Sequence, residues 1–214
     1  AIRDAMKCRR LIASDWYQER WPIALVSDQN AKSKFENAAT GFREAMAFTS
    51  MTGSRGDRIV LDDPLSADDA NSDAALRAAE LTFTEALPTR VNNDKSAIVV
   101  IMQRLNERDT SGVILDRGLP YVHLCLPMRF DASRRCTTPI FTDPRTYDGE
   151  LLFPERFSEE QVKDLEITMG SYASAGQLQQ RPAPRGGGIF KAEWLRFWQV
   201  QPALEWRVIY ADTA

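Results

Sequence analysis

Two adjacent carboxylates follow a short apolar run in Arg58-Ile59-Val60-Leu61-Asp62-Asp63-Pro64. An acid pair delivered at the carboxyl end of a buried strand suits nucleotide hydrolysis, in which one carboxylate holds a magnesium ion through water and the next polarises the attacking water. Asp62 and Asp63 fit those roles in that order. The same residues also read as a strand end followed by an Asp-Asp-Pro turn, with no chemistry attached. A second apolar run, Ala97-Ile98-Val99-Val100-Ile101-Met102, passes directly into Gln103-Arg104. If the two runs are parallel neighbours in one sheet, Gln103 and Arg104 emerge at the same edge as the acid pair, where a polar group senses a terminal phosphate. A solvated charge run at a strand exit is the competing reading.

A phosphate cradle is missing. No GxxxxGK[ST] pattern occurs in the sequence, and Gly186-Gly187-Gly188 lacks the lysine and the following hydroxyl. Either the chain is no ATPase, or part of one lies outside it.

The elements that must position these residues follow from periodicity. A helix is expected at the start, with Ile2, Ala5, Cys8 and Ile12 on one side and Pro22 as its stop. An extended stretch is expected over 41–49, a buried strand over 58–62, and a helix over 68–87 with Ala75, Ala79, Phe83 and Leu87 on one face and Pro88 closing it. Buried strands over 97–102 and 121–126 come next, and the Pro-, Asp-, Arg- and Thr-rich segment 129–150 reads as a long loop. Ser158 and Gln161 form a capping box for a helix striped by Val162, Leu165 and Met169 and stopped by Gly170. Arg181-Pro182-Ala183-Pro184-Arg185 and the glycine run after it read as a domain boundary, followed by an aromatic patch (Phe190, Trp194, Phe197, Trp198) and a final strand over 206–212. Strands alternating with helices argue for an α/β sheet that is mostly parallel.

Composition restricts the classes. The 214 residues are 43% hydrophobic and 27% charged with a formal charge of -3, values of an ordinary globular chain with ample core. No apolar stretch reaches membrane-spanning length and the first ten residues are charged, so the chain reads as cytosolic and not secreted. Cys8, Cys125 and Cys136 form no CxxC pair, which leaves neither a disulfide framework nor a zinc ribbon. The single histidine, His123, alternates with apolar neighbours and reads as a strand residue without a chemical role. Mild acidity gives no overall basic footprint, so any DNA contact must be local.

At these residues the chain resembles the large terminase subunit of tailed bacteriophages, the ATP-driven motor and nuclease that packages viral DNA. The resemblance runs in order through TGSRGDRIVLDDP (52–64), IVVIMQRLNERDTSG (98–112), GELLFPERF (149–157) and QLQQRP (177–182). It implies a partial RecA/ASCE-like P-loop ATPase sheet over 1–128, carrying the Walker B and coupling motifs. A lid or loop subdomain over 129–181, a linker over 182–204 and the first strand of an RNase H-like nuclease domain over 205–214 would follow.

By the same resemblance Asp62 is the magnesium-associated acid of Walker B and Asp63 the catalytic carboxylate, where many related motors carry Glu. Gln103 and Arg104 match the coupling motif that links phosphate release to lid movement, with Asn106 standing where many members have His. Arg55 is the candidate arginine finger reaching a neighbouring subunit's nucleotide; a structural ion pair with Asp57 or Asp62 is the rival reading. Asp212 fits the first metal acid of the nuclease, whose two-metal cleavage needs further carboxylates beyond this chain.

The resemblance implies ATP and Mg2+ as cofactors, with Mn2+ as an alternative at the nuclease site. The implied partners are double-stranded viral DNA, a portal protein, a small terminase subunit and further copies in a ring on the procapsid, in the host cytoplasm and without a membrane. It further implies that the 214 residues are the middle of a longer protein and inactive alone. Two other functions share these features: a helicase-like DNA translocase, and a non-catalytic scaffold or portal-docking domain in which the acids merely end a strand.

Overall fold

A computed structural model of the chain describes residues 2–31, 33–51, 53–183 and 194. The final strand with Asp212, the glycine run, and Phe190, Phe197 and Trp198 of the aromatic patch lie outside the described residues.

Helix α1 (Ile2–Ile12) buries Ala5 and half-buries Cys8 and Ile12. It ends well before Pro22, the expected stop, because the Ser14 hydroxyl accepts from the Tyr17 amide and opens a separate short helix, α2 (Asp15–Gln18). Three strands follow, β1 (Leu25–Asn30), β2 (Lys34–Asn37) and β3 (Phe42–Glu44), paired antiparallel in sequence order. Of the extended stretch expected over 41–49 only β3 is strand, and Phe48–Ser50 is a 3-10 turn.

Strands β4 (Arg58–Asp62) and β5 (Ala97–Ile101) pair in parallel, in register from Arg58↔Ala97 to Asp62↔Ile101. Their connection holds a 3-10 turn, helix α3 (Asp73–Leu81) capped by Ser72, a π-turn over Thr82–Ala86 and a 3-10 turn over Leu87–Arg90. The helix expected from 68 therefore starts later, at the Ser72 cap, and Pro88 sits inside the last turn of the run. Register places Ile59, Leu61, Ile98 and Val100 on one face, against Phe83, Leu87, Val113 and Ile114. A second cluster of Leu65, Ala70, Leu76 and Ala79 continues this layer beneath the strand exits.

Helix α4 (Thr110–Asp116) supplies Val113 and Ile114 and begins at the cap residue Asp109, in a tract read from sequence only as a polar run. Residues 121–126, expected as a strand, form no ladder with any strand among the described residues and carry no regular secondary structure. Segment 129–150 is a loop, as its composition predicts, tied by single bridges such as Arg129↔Leu151. Helix α5 (Glu159–Ala173) has the predicted Ser158–Gln161 capping box. Gly170, at φ 71°, breaks the helical conformation, yet helical hydrogen bonding resumes and ends in a π-turn over Ser174–Leu178.

The architecture is α/β. It differs from a mostly parallel sheet in two respects: the described strands form one parallel pair and one antiparallel meander, and the described residues cover β4 and β5 on one face only. Val60, Val99 and Ile101 share the opposite face at 57%, 43% and 55% exposure. An apolar run predicts a strand wherever it occurs; whether both faces are covered depends on neighbours that the run does not encode. Among the described residues no helix is long and apolar enough to cross a membrane.

Candidate functional site

The parallel register decides what meets at the strand exits. The Asp63 amide donates to the Ile101 carbonyl at 2.9 Å, the last rung of the ladder, so the chain after β4 and the chain after β5 leave at one edge. Asp63 then turns sharply, at φ 45°, a left-handed conformation that short polar side chains tolerate. Beyond this turn lies a cleft of about 200 Å³. Asp63, Ser66, Gln103 and Gln177 supply its polar lining, and Leu65, Ala67 and Leu105 the rest.

Of the four residues that the sequence reading set at this edge, Asp62, Asp63, Gln103 and Arg104, only Asp63 and Gln103 line the cleft. Asp62 is not among the cleft residues; it ends β4 on the same face as Val60, and both acids are exposed. Among the described residues neither forms an ion pair. Arg55 is also exposed and pairs with neither Asp57 nor Asp62; the Asp57 carboxylate accepts from Asn92 at 3.1 Å.

Arg104 faces elsewhere. Its Nε donates to both carboxylate oxygens of Asp109 at 2.9 and 3.0 Å, and its Nη2 reaches the Asn106 and Glu107 carbonyls at 3.4 and 3.5 Å. Asp109 is fully buried and also accepts from the amides of Leu105, Asn106 and Gly112 at 2.9, 3.3 and 2.8 Å. Asn106 donates from Nδ2 to the Ala70 carbonyl at 2.9 Å, tying this loop to the segment after β4. Arg104 therefore braces the loop that carries Gln103, while Gln103 itself lines the cleft.

No family model and no curated protein matches this chain.

Among the described residues no three His, Cys, Asp or Glu side chains converge as a metal group. Magnesium needs less than that: one or two carboxylates, with phosphate oxygens and water completing its shell. Asp62 and Asp63, adjacent, exposed and unpaired among the described residues, fit that demand. Of the two acids only Asp63 lines the cleft, and the sequence contains no glycine-rich cradle for phosphates.

Gln177 and Ser66 are cleft residues that the sequence reading assigned no role. The available signal was the QLQQRP tract, whose glutamines at 177 and 180 share one side of a helical turn. His123 lies outside the cleft; partial desolvation of its ring, with the charges of Arg104 and Arg134, lowers its pKa below the usual histidine value.

Proposed function

We propose that this chain carries the Walker B and coupling region of a packaging motor resembling the large terminase subunit of tailed bacteriophages. The observation that carries the proposal is the in-register β4–β5 pair, which sets Asp63 and Gln103 in one cleft at the carboxyl edge. A RecA-like arrangement requires that juxtaposition, and a strand-end turn without chemistry does not.

In this reading Asp62 and Asp63 would hold a magnesium ion whose charge offsets that developing on transferring phosphate oxygens. The Asp63 carboxylate orients an attacking water and receives its proton. The Gln103 amide, with both donor and acceptor groups, reads whether a phosphate oxygen is present. Arg55, exposed and unpaired among the described residues, is free to reach the nucleotide of a neighbouring copy in a ring. Viral double-stranded DNA, a portal protein and a small terminase subunit would be the partners, and Asp212 would belong to a nuclease that follows.

The test is magnesium-dependent phosphate release from ATP, measured on the chain and on any longer form of the protein that includes a phosphate-binding loop. Asp63→Asn is expected to lower turnover about a thousandfold or more, and Asp62→Asn to raise the magnesium concentration needed. Turnover unchanged in both variants would sink the proposal. The exposure of both acids favours one second reading, a non-catalytic docking domain, for which neither substitution changes anything enzymatic.

A further inference from the structure

The cleft is built by elements far apart in sequence: the exit of β4, the exit of β5, and the turn that ends α5. The third contributes Gln177 to the lining. Its attachment to the second is specific. Gln180 Oε1 accepts from the Arg104 amide at 3.0 Å, and Gln180 Nε2 donates to the Gln177 carbonyl at 2.6 Å. One side chain thereby fixes the residue next to Gln103 and the backbone of Gln177 together. Gln180 holds φ at 54°, a left-handed conformation that non-glycine residues adopt uncommonly and at a cost in backbone energy.

Gly176 allows the approach. A Cβ there would stand 2.8 Å from the Arg104 carbonyl oxygen, inside the closest separation real Cβ atoms show. Backbone, amide side chain and strained dihedral therefore converge on one residue, Arg104, whose guanidinium is already committed to Asp109. From there the connection continues away from the cleft. The Leu178 carbonyl accepts from the Met128 amide at 2.8 Å, and Arg129 is ion-paired with Glu166 and Glu159 of α5.

We propose that Gln180 is a positioning residue, a latch that locks the strand-exit loop 103–105 to the end of α5 and so holds Gln103 and Gln177 on one ligand. Only the ligand's identity, a terminal phosphate, rests on the function proposed above; the latch does not. A shift of Gln103 when that phosphate arrives or leaves moves α5 as well, through Gln180.

Two arms test this, and they fail separately. In the first, amide hydrogen exchange is followed in the 214-residue chain without nucleotide. Gln180→Ala and Gln180→Gly are expected to speed exchange at 103–106 by about tenfold or more and to leave β4 unchanged. The glycine variant also relieves the strained dihedral, so it folds even if the alanine variant does not. Gln180→Glu keeps an acceptor for the Arg104 amide but sets a carboxylate oxygen against the Gln177 carbonyl where Nε2 donated, so it should restore the protection only in part. Gly176→Ala, which leaves both glutamines in place but intrudes on the Arg104 carbonyl, should loosen the same loop. Unchanged exchange in Gln180→Gly overturns the latch.

The second arm measures ATP hydrolysis by the protein in the form used to test the proposed function. Gln180→Gly should lower kcat by about tenfold with KM unchanged. Equal kcat in wild type and Gln180→Gly overturns the positioning role. If the wild type itself does not hydrolyse ATP, the proposed function is lost and the exchange arm still decides the latch.

Discussion

Asp109 shows how much one residue decides. Its carboxylate is fully buried, yet it accepts from three backbone amides and one guanidinium, so its desolvation is compensated. Asp109→Ala is expected to cost about 3–5 kcal/mol, because it strands the Arg104 guanidinium and three amides at once. Urea unfolding would measure it, and a cost below about 1 kcal/mol would show that the network is unimportant.

A second buried pair, Asp143 with Arg145, pins the long loop: Arg145 donates to both Asp143 oxygens and to the Pro127 carbonyl at 2.8 Å. The Arg145 hydrogen bond holds the Asp143 carboxyl below its usual value. The folded pKa is the lower one, so the stabilisation is complete above the unfolded value near 3.8 and is lost as pH falls through the folded value. Stability measured from pH 5 down to pH 2 should therefore fall less steeply in Asp143→Asn than in wild type. Equal slopes would mean that the pair does not contribute to acid unfolding.

At the scale of elements, α4 begins where Gly112 permits it. A Cβ there would lie 1.8 Å from the Glu107 carbonyl oxygen, so the chain after the 103–107 loop cannot close on α4 with any larger residue. Gly112→Ala should cost about 3 kcal/mol or more, exceeding ordinary overpacking since backbone must move. A thermal midpoint within one degree of wild type would contradict that contact.

Local signals account for which elements were legible. Strands β4 and β5 are apolar runs bounded by polar residues, and the α5 start is a capping box, all readable over a few residues. Helix α4, short and containing a glycine and two hydroxyl residues, has almost no helical signature, and it forms because Val113 and Ile114 pack on the sheet. The run 121–126 has strand composition but no strand beside it among the described residues, and composition alone does not make a ladder.

For the molecule as a whole, the exposed face of β4 and β5 matters most. Parallel strands are normally covered on both sides, and here Val60, Val99 and Ile101 face solvent. Purified alone, the chain should self-associate as its concentration rises. Val99→Thr combined with Ile101→Thr should reduce light scattering without lowering the thermal midpoint, since neither side chain lies in the packed core. Scattering unaffected by the double substitution would mean that this face does not mediate association.

Residue order alone established that two apolar runs each end in polar chemistry, and that a capped helix precedes a glutamine-rich turn, because neighbouring residues carry those patterns. Tertiary structure decided that Gln103 enters the cleft while Arg104 turns to Asp109, and that Gln177 and Gln180 join a loop 76 residues away from Gln180. Which way a side chain turns at a strand exit depends on where a buried carboxylate and a distant backbone happen to stand, and those positions exist only once the chain has packed.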